Sequence, residues 1–138
     1  MLVREMMTAD VVTVGADATL RDAVAALLDH GVGSVVVTVD GDPAGLVTET
    51  DALEAVYEGA CAPGEVPVRD LIERPVVTTA PDRTVQRAAR TMADEGVKKL
   101  LVLDDMDVVG IVTLTDVVWH LAEIRSEAMD IASAEWGP

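Results

Sequence analysis

The segment Gly45-Leu46-Val47-Thr48-Glu49-Thr50-Asp51 and its counterpart Gly110-Ile111-Val112-Thr113-Leu114-Thr115-Asp116 share the pattern G-h-h-T-x-x-D, where h is apolar. A threonine followed three residues later by an acid, at a strand end that opens a helix, has two uses. In a capping box the threonine accepts from a backbone N–H in the first turn and the acid reaches back to the cap's own N–H, although Glu is more typical there than Asp. The same place suits a ligand: free N–H groups and the positive helix end attract a phosphate, and a carboxylate accepts both hydroxyls of a ribose. Two occurrences at equivalent places strengthen the ligand reading, while duplication would also carry a structural cap into both copies.

Other residues with chemical potential lead nowhere comparable. His30 and His120 stand at unrelated positions without a triad or metal motif around them, and both read as helix-surface residues. Asp104, Asp105 and Asp107 fall in a short hairpin turn, not in the twelve-residue loop with a distal Glu that an EF-hand requires, so no metal site is expected. Cys61 has no basic neighbour to lower its pKa and no second cysteine to pair with. Neither G-x-G-x-x-G nor a P-loop occurs, and no nucleophile or acid–base pair is visible, so the chain reads as a non-enzyme.

The surroundings of these motifs are acidic. Ten basic against twenty-five acidic side chains give a net charge of −15 over 138 residues. Such a surface repels nucleic-acid phosphates and anionic lipid. Half the residues are apolar, which is too many for a disordered acidic chain. The core stock is Val and Ala with no Phe, one Tyr (Tyr57) and two Trp (Trp119 and Trp136). Lys98 and Lys99 are the only lysines, against fifteen Asp, a balance that resembles proteins of halophilic cytoplasm, where salt screens self-repulsion. Neither a signal peptide nor an apolar run of membrane-spanning length is seen, and with its one cysteine the chain reads as cytoplasmic.

An internal repeat organises the elements that must position the motifs. Sliding the chain by 65 residues lays Val3–Asp51 on Val68–Asp116 without a gap, with about 19 of 49 pairs identical. Each copy predicts a strand at Val11–Val14 (Val76–Thr79), from its β-branched run. A helix follows, capped by Thr19 (Thr84), with apolar residues Leu20, Ala23, Val24, Leu27 and Leu28 (Val85, Ala88, Ala89 and Met92) and a stop at Gly31 (Gly96). Val35–Val39 (Leu100–Leu103), an acidic turn and a strand ending at Val47 (Val112) predict a hairpin. A second helix starts within Thr48–Asp51 (Thr113–Asp116) and runs through Leu53 and Val56 (Val118 and Leu121). The Gly/Pro-rich stretch 59–67 is a linker between a first repeat at 1–58 and a second at 68–122, and 123–138 forms a helical tail with a frayed end at 135–138.

The repeat length, the V-V-T-V strand, the D-x-T-[LV] helix start and the closing G-[LI]-V-T-x-T-D resemble tandem cystathionine β-synthase (CBS) domains, over residues 3 to about 122. The resemblance implies an α/β (α+β) fold of two β-α-β-β-α repeats related by pseudo-two-fold symmetry, packed through their sheets, with two clefts between them. It also implies an adenosyl ligand such as AMP, ADP, ATP or S-adenosylmethionine, no required cofactor, and a homodimer formed through the helix pair of each copy. Carried onto this chain, Asp51 and Asp116 match the ribose-binding acid, and Thr48 and Thr113 the hydroxyl at the helix start. Val12, Thr13 and Val14, with Val77, Thr78 and Thr79, match the strand edge that flanks adenine. Lys98 and Lys99 stand where basic residues of the family often meet phosphate, and Gly33 and Ser34 are their counterparts in the first copy. Thr50 and Thr115 occupy a position where the family frequently has arginine.

The resulting expectation is a regulatory binding module with a stronger site in the second repeat and a weaker one in the first, passing ligand occupancy to a protein partner. The alternative is a non-catalytic dimerisation or interaction scaffold in which both motifs are caps only.

Overall fold

A computed structural model of the chain describes residues 1–59 and 61–136, with side chains to residue 131. Ala60 of the expected linker lies outside the described residues, as do Gly137 and Pro138 and the side chains of Glu135 and Trp136 in the expected frayed end. In chain order the elements are α1 (Val3–Met6), β1 (Thr13–Gly15), α2 (Leu20–His30), β2 (Ser34–Val39), β3 (Asp42–Thr48) and α3 (Glu49–Glu58). Two short 3-10 turns at Pro63–Glu65 and Val68–Leu71 lead to β4 (Thr78–Thr79), α4 (Val85–Glu95), β5 (Lys99–Asp104), β6 (Asp107–Thr113), α5 (Leu114–Trp119) and α6 (Leu121–Trp136). The order strand, helix, strand, strand, helix therefore occurs twice.

These elements form two compact units that are offset from the sequence repeats. Asp10–Val76 make one contiguous unit, and Met1–Ala9 join the chain from Val77 onward in a second, split unit. Each contains a three-stranded sheet, β1-β2-β3 or β4-β5-β6, with the first strand parallel to the second and the hairpin antiparallel.

The opening segments of the repeats account for the offset. Val68 is fully buried among Ala23, Leu27, Val35, Val37 and Val47 of the contiguous unit, with Leu71 and Ile72 packed beside it. Val3 and Met6 are buried in the split unit against Val85, Ala88 and Met92 of α4 and Leu100, Val102 and Val112 of the hairpin. Backbone bonds fix the segment there: Val3 N–H donates to Arg83 C=O at 2.9 Å, and Thr8 and Ile111 exchange two bonds at 2.9 and 3.0 Å. Each opening segment thus completes the unit built mainly from the other repeat.

Helix boundaries follow the local chemistry. Thr19 and Thr84 cap α2 and α4, and Gly31 and Gly96 end them in the left-handed region at φ 61° and 67°, which glycine adopts without a Cβ penalty. Three Thr-capped helices carry an acid that completes a capping box, at Asp22, Asp51 and Asp116, whereas α4 has Arg87 at that place and no acid in its first turn. A cation there opposes the helix dipole. Arg87→Glu is expected to stabilise the protein by about 0.5–1 kcal/mol, read as a rise of a few degrees in Tm.

Two sequence expectations need correction. The first strand of each repeat is shorter than the β-branched run, Thr13–Gly15 in place of Val11–Val14 and Thr78–Thr79 in place of Val76–Thr79, because the ladder with β2 or β5 begins only at the threonine. The final helix of the second repeat does not run through Leu121. It stops at Trp119, His120 takes a C-cap conformation, and both its backbone N–H and its ring Nδ1 lie against the Asp116 carbonyl, at 3.1 and 2.9 Å, before α6 begins.

Candidate functional site

The topology of each sheet brings the predicted residues to one edge. Because β1 runs parallel to β2, both strands begin at the same end, and the antiparallel β3 finishes there. Val36 N–H donates to the Val12 carbonyl at 2.9 Å and Thr13 pairs with Val36. Two residues earlier on β2, Ser34 stands opposite Thr48, the last residue of β3 and the N-cap of α3. Glu49 N–H donates to Gly33 C=O at 3.2 Å, which latches the helix start to the beginning of β2. Val12–Val14, Gly33–Ser34 and Thr48–Asp51 therefore converge.

The split unit repeats the arrangement. Leu101 N–H donates to Val77 C=O at 3.1 Å, Thr78 pairs with Leu101, and Lys99 stands opposite Thr113. Leu114 N–H donates to Lys98 C=O at 2.8 Å. Val77–Thr79, Lys98–Lys99 and Thr113–Asp116 form the second edge.

Both capping boxes are formed. The Thr48 N–H donates to Asp51 Oδ2 at 2.8 Å and the Asp51 N–H to Thr48 Oγ1 at 3.2 Å. At Thr113 and Asp116 the corresponding distances are 2.9 and 3.1 Å. The box uses one oxygen of each carboxylate. An ionised aspartate offers about four lone-pair sites, so each Oδ1 retains capacity for a hydroxyl. Thr48, Asp51, Thr113 and Asp116 are half-buried, fixed by their helix starts yet reachable.

The edges differ in charge and helix length. Ser34 is buried and Gly33 exposed, whereas Lys98 is exposed and Lys99 half-buried. The sequence led to an expectation that helix dipoles would draw phosphate to both motifs. At the second edge α5 has only six residues, and Lys98 and Lys99 add positive charge there. Thr13 and Thr78 are exposed at the strand edge, and Val12, Val14, Val77 and Thr79 are half-buried, offering aliphatic surface.

Two features escaped the sequence reading. The motif glycines have a packing role: a Cβ on Gly45 would lie 2.7–2.9 Å from Ile72, and one on Gly110 would lie 2.6 Å from Met7 Sδ and 3.0 Å from the Thr8 carbonyl. The opening segment packs directly on the strand that ends in the motif. The second feature is a groove of about 260 Å³ along α3, lined by Asp51, Glu54 and Glu58 with Asp70, Glu73 and Cys61. The spacing of 51, 54 and 58 placed three acids on one helix face, a signal submerged in the overall charge. Among the described residues, no three His, Cys, Asp or Glu side chains are grouped as metal ligands, and no helix is long and apolar enough to cross a membrane.

Comparison with known proteins bears on the doubled motif. The CBS domain family matches twice, at residues 3–58 and 68–123. The chain belongs to the CBS domain family. An uncharacterized protein of Methanopyrus kandleri, MK0525, is 35% identical over 118 residues, covering 84% of this chain and 60% of that protein's length. Among solved structures, the CBS domain protein PAE2072 from Pyrobaculum aerophilum, complexed with AMP, superposes with a TM-score of 0.81 at 22% identity, covering 94% of this chain and 99% of that one. The CBS domain pair of protein MJ0100, in complex with 5′-methylthioadenosine and S-adenosyl-L-methionine, gives 0.78 at 22% identity, covering 89% and 97%. The two CBS repeats are therefore the two copies already seen at a 65-residue offset.

Proposed function

We propose that this CBS pair is a regulatory module without catalysis of its own, which binds an adenosine derivative such as AMP, ADP, ATP or S-adenosylmethionine and passes its occupancy to a protein partner in the cytoplasm. The observation that carries this reading is the recurrence, in both units, of a half-buried aspartate at a helix start beside an aliphatic strand edge. Asp116 and Asp51 accept the ribose hydroxyls through the oxygen that the capping box leaves over. Thr113 and Thr48 offer hydroxyls beside them, and Val77–Thr79 and Val12–Val14 flank the base. Lys98 and Lys99 neutralise phosphate at the second-repeat site, and Gly33 and Ser34 make the first-repeat site weaker for it. The CBS structures complexed with AMP and with methylthioadenosine and S-adenosylmethionine support this ligand class.

A ligand regulates a partner only by binding two arrangements of the protein unequally. Each unit has its own responding helix face, on α3 with Leu53, Val56 and Tyr57 exposed and on α5 with Val118 and Trp119 exposed. Apolar stripes of this kind call for a covering surface, and a second copy of the chain provides it.

The scaffold reading draws on the same capping boxes, since both aspartates already have structural work. Calorimetric titration of AMP and ATP into wild type and Asp116→Ala separates the two. Loss of a charged acceptor from two hydroxyls is expected to weaken binding by at least ten-fold, while the cap costs the fold only about 1 kcal/mol. No binding of any adenosine compound to wild type would establish the scaffold instead, and AMP affinity unchanged in Asp116→Ala would leave that aspartate a cap only.

A further inference from the structure

The two ligand edges share one backbone design but sit in different electrostatic surroundings. In an antiparallel pair, directly opposed residues project from the same face with Cβ atoms about 4.5–5.5 Å apart. Lys99 opposes Thr113, whereas the buried hydroxyl residue Ser34 opposes Thr48, so a lysine stands across the ladder from one motif and a serine from the other.

The contrast extends beyond that pair. Asp51 opens onto the groove carrying Glu54, Glu58, Asp70 and Glu73. At an offset of 65 residues the matching positions are Trp119, Glu123, Glu5 and Thr8, so two of the four acids have no acidic counterpart in the split unit. Residues 10–76 carry three basic against thirteen acidic side chains, a net of −10, and the rest of the chain seven against twelve, a net of −5. An adenosine phosphate placed at Asp51 is repelled by that net negative field, and a neutral or positive group is not.

Resting on the adenosine reading above, we infer that the two CBS sites are sorted by the charge of the ligand's 5′ substituent. The edge at Asp116, Lys98 and Lys99 takes adenosine 5′-phosphates. The edge at Asp51 and Ser34 takes adenosine derivatives whose 5′ substituent is neutral or cationic, the thioether and sulfonium classes. One chain then reads two metabolite types at once, and the ratio of occupancies is the quantity it senses.

The test titrates AMP, 5′-methylthioadenosine and S-adenosylmethionine into wild type, Asp51→Ala, Asp116→Ala and Lys98→Ala, each checked for an unchanged circular dichroism spectrum. AMP affinity is expected to fall at least ten-fold in Asp116→Ala, several-fold in Lys98→Ala and less than two-fold in Asp51→Ala. The two uncharged or cationic probes are expected to show the reverse, falling in Asp51→Ala and holding in Lys98→Ala. The exposed Lys98 keeps the test decisive even where an aspartate variant folds poorly. Raising salt from about 0.1 to 1 M shortens the screening length from about 10 to 3 Å, and AMP discrimination between the sites is expected to shrink with it. Equal losses of AMP and methylthioadenosine in each variant would overturn the sorting while leaving adenosine binding intact. No binding of any of the three probes to wild type would instead remove the adenosine reading on which the sorting rests.

Discussion

Deleting residues 2–9 is expected to unfold the split unit while the contiguous unit keeps its protection. The segment supplies the fully buried Val3 and the nearly buried Met6, and it holds the edge of the hairpin through the Thr8–Ile111 bond pair. Burial of two such side chains stabilises by about 3–6 kcal/mol, and the exposed face of Val85, Ala88 and Met92 adds to the loss. Against a domain stability of about 5–15 kcal/mol, that is enough to melt a unit of this size. Hydrogen exchange is the measurement that separates the units: amides of β5 and β6 should lose protection, and those of β2 and β3 should retain it. Val3→Asp should reproduce the pattern by burying a charge, and the exposed neighbour Arg4→Ala should not. Uniform loss across both units would mean that the segment serves both.

The second large effect is expected at a glycine. Gly45→Ala places a methyl group within 2.9 Å of three atoms of Ile72, a branched side chain packed in the contiguous core. Overpacking of this kind costs about 1–3 kcal/mol. Ile72→Ala removes all three clashing atoms, so the double variant should be more stable than the sum of the singles by about 1–2 kcal/mol, measured from urea midpoints at constant m. At Gly110 the obstacle is different. Met7 is flexible and can move its sulfur, but the Thr8 carbonyl is backbone held by the Ile111 bridge. Met7→Ala should therefore rescue Gly110→Ala only in part. Absence of coupling between positions 45 and 72 would show that the glycine is there for another reason.

Much of this architecture was legible because local chemistry decides it. Thr19 and Thr84 cap because their side chains satisfy orphan N–H groups, and Gly31 and Gly96 stop helices because they enter the left-handed region. The 65-residue repeat placed Asp51 and Asp116 at equivalent helix starts, and the sheets gathered the remaining site residues around them. What stayed hidden was decided by distant partners. Val3-Arg4-Glu5-Met6 and Val68-Arg69-Asp70-Leu71 are nearly interchangeable in pattern, so nothing local says that each completes the unit dominated by the other repeat. The glycines of the motif were visible, but the neighbours that exclude a Cβ from them, Ile72 and Met7, come from those same segments. The helix break at His120 carries no Gly or Pro, so no residue type in the sequence announces that the backbone leaves the helical region there. The length of β1 was overestimated because β-branched residues report fit to a half-buried pleat and not the extent of a ladder.

The split unit also imposes an order on biosynthesis. Asp10–Val76 are complete as a continuous stretch, so that unit can close as soon as its last residues leave the ribosome. Val3 and Met6 emerge before any of it, yet their partners on α4 and the β5–β6 hairpin extend to Val112. At the usual synthesis rate of about 5–20 residues per second, the nascent chain carries its opening apolar segment unpaired for about 5–20 seconds. Val3 and Met6 are thus translated before the contiguous unit yet buried only after it, and until then they are open to a chaperone.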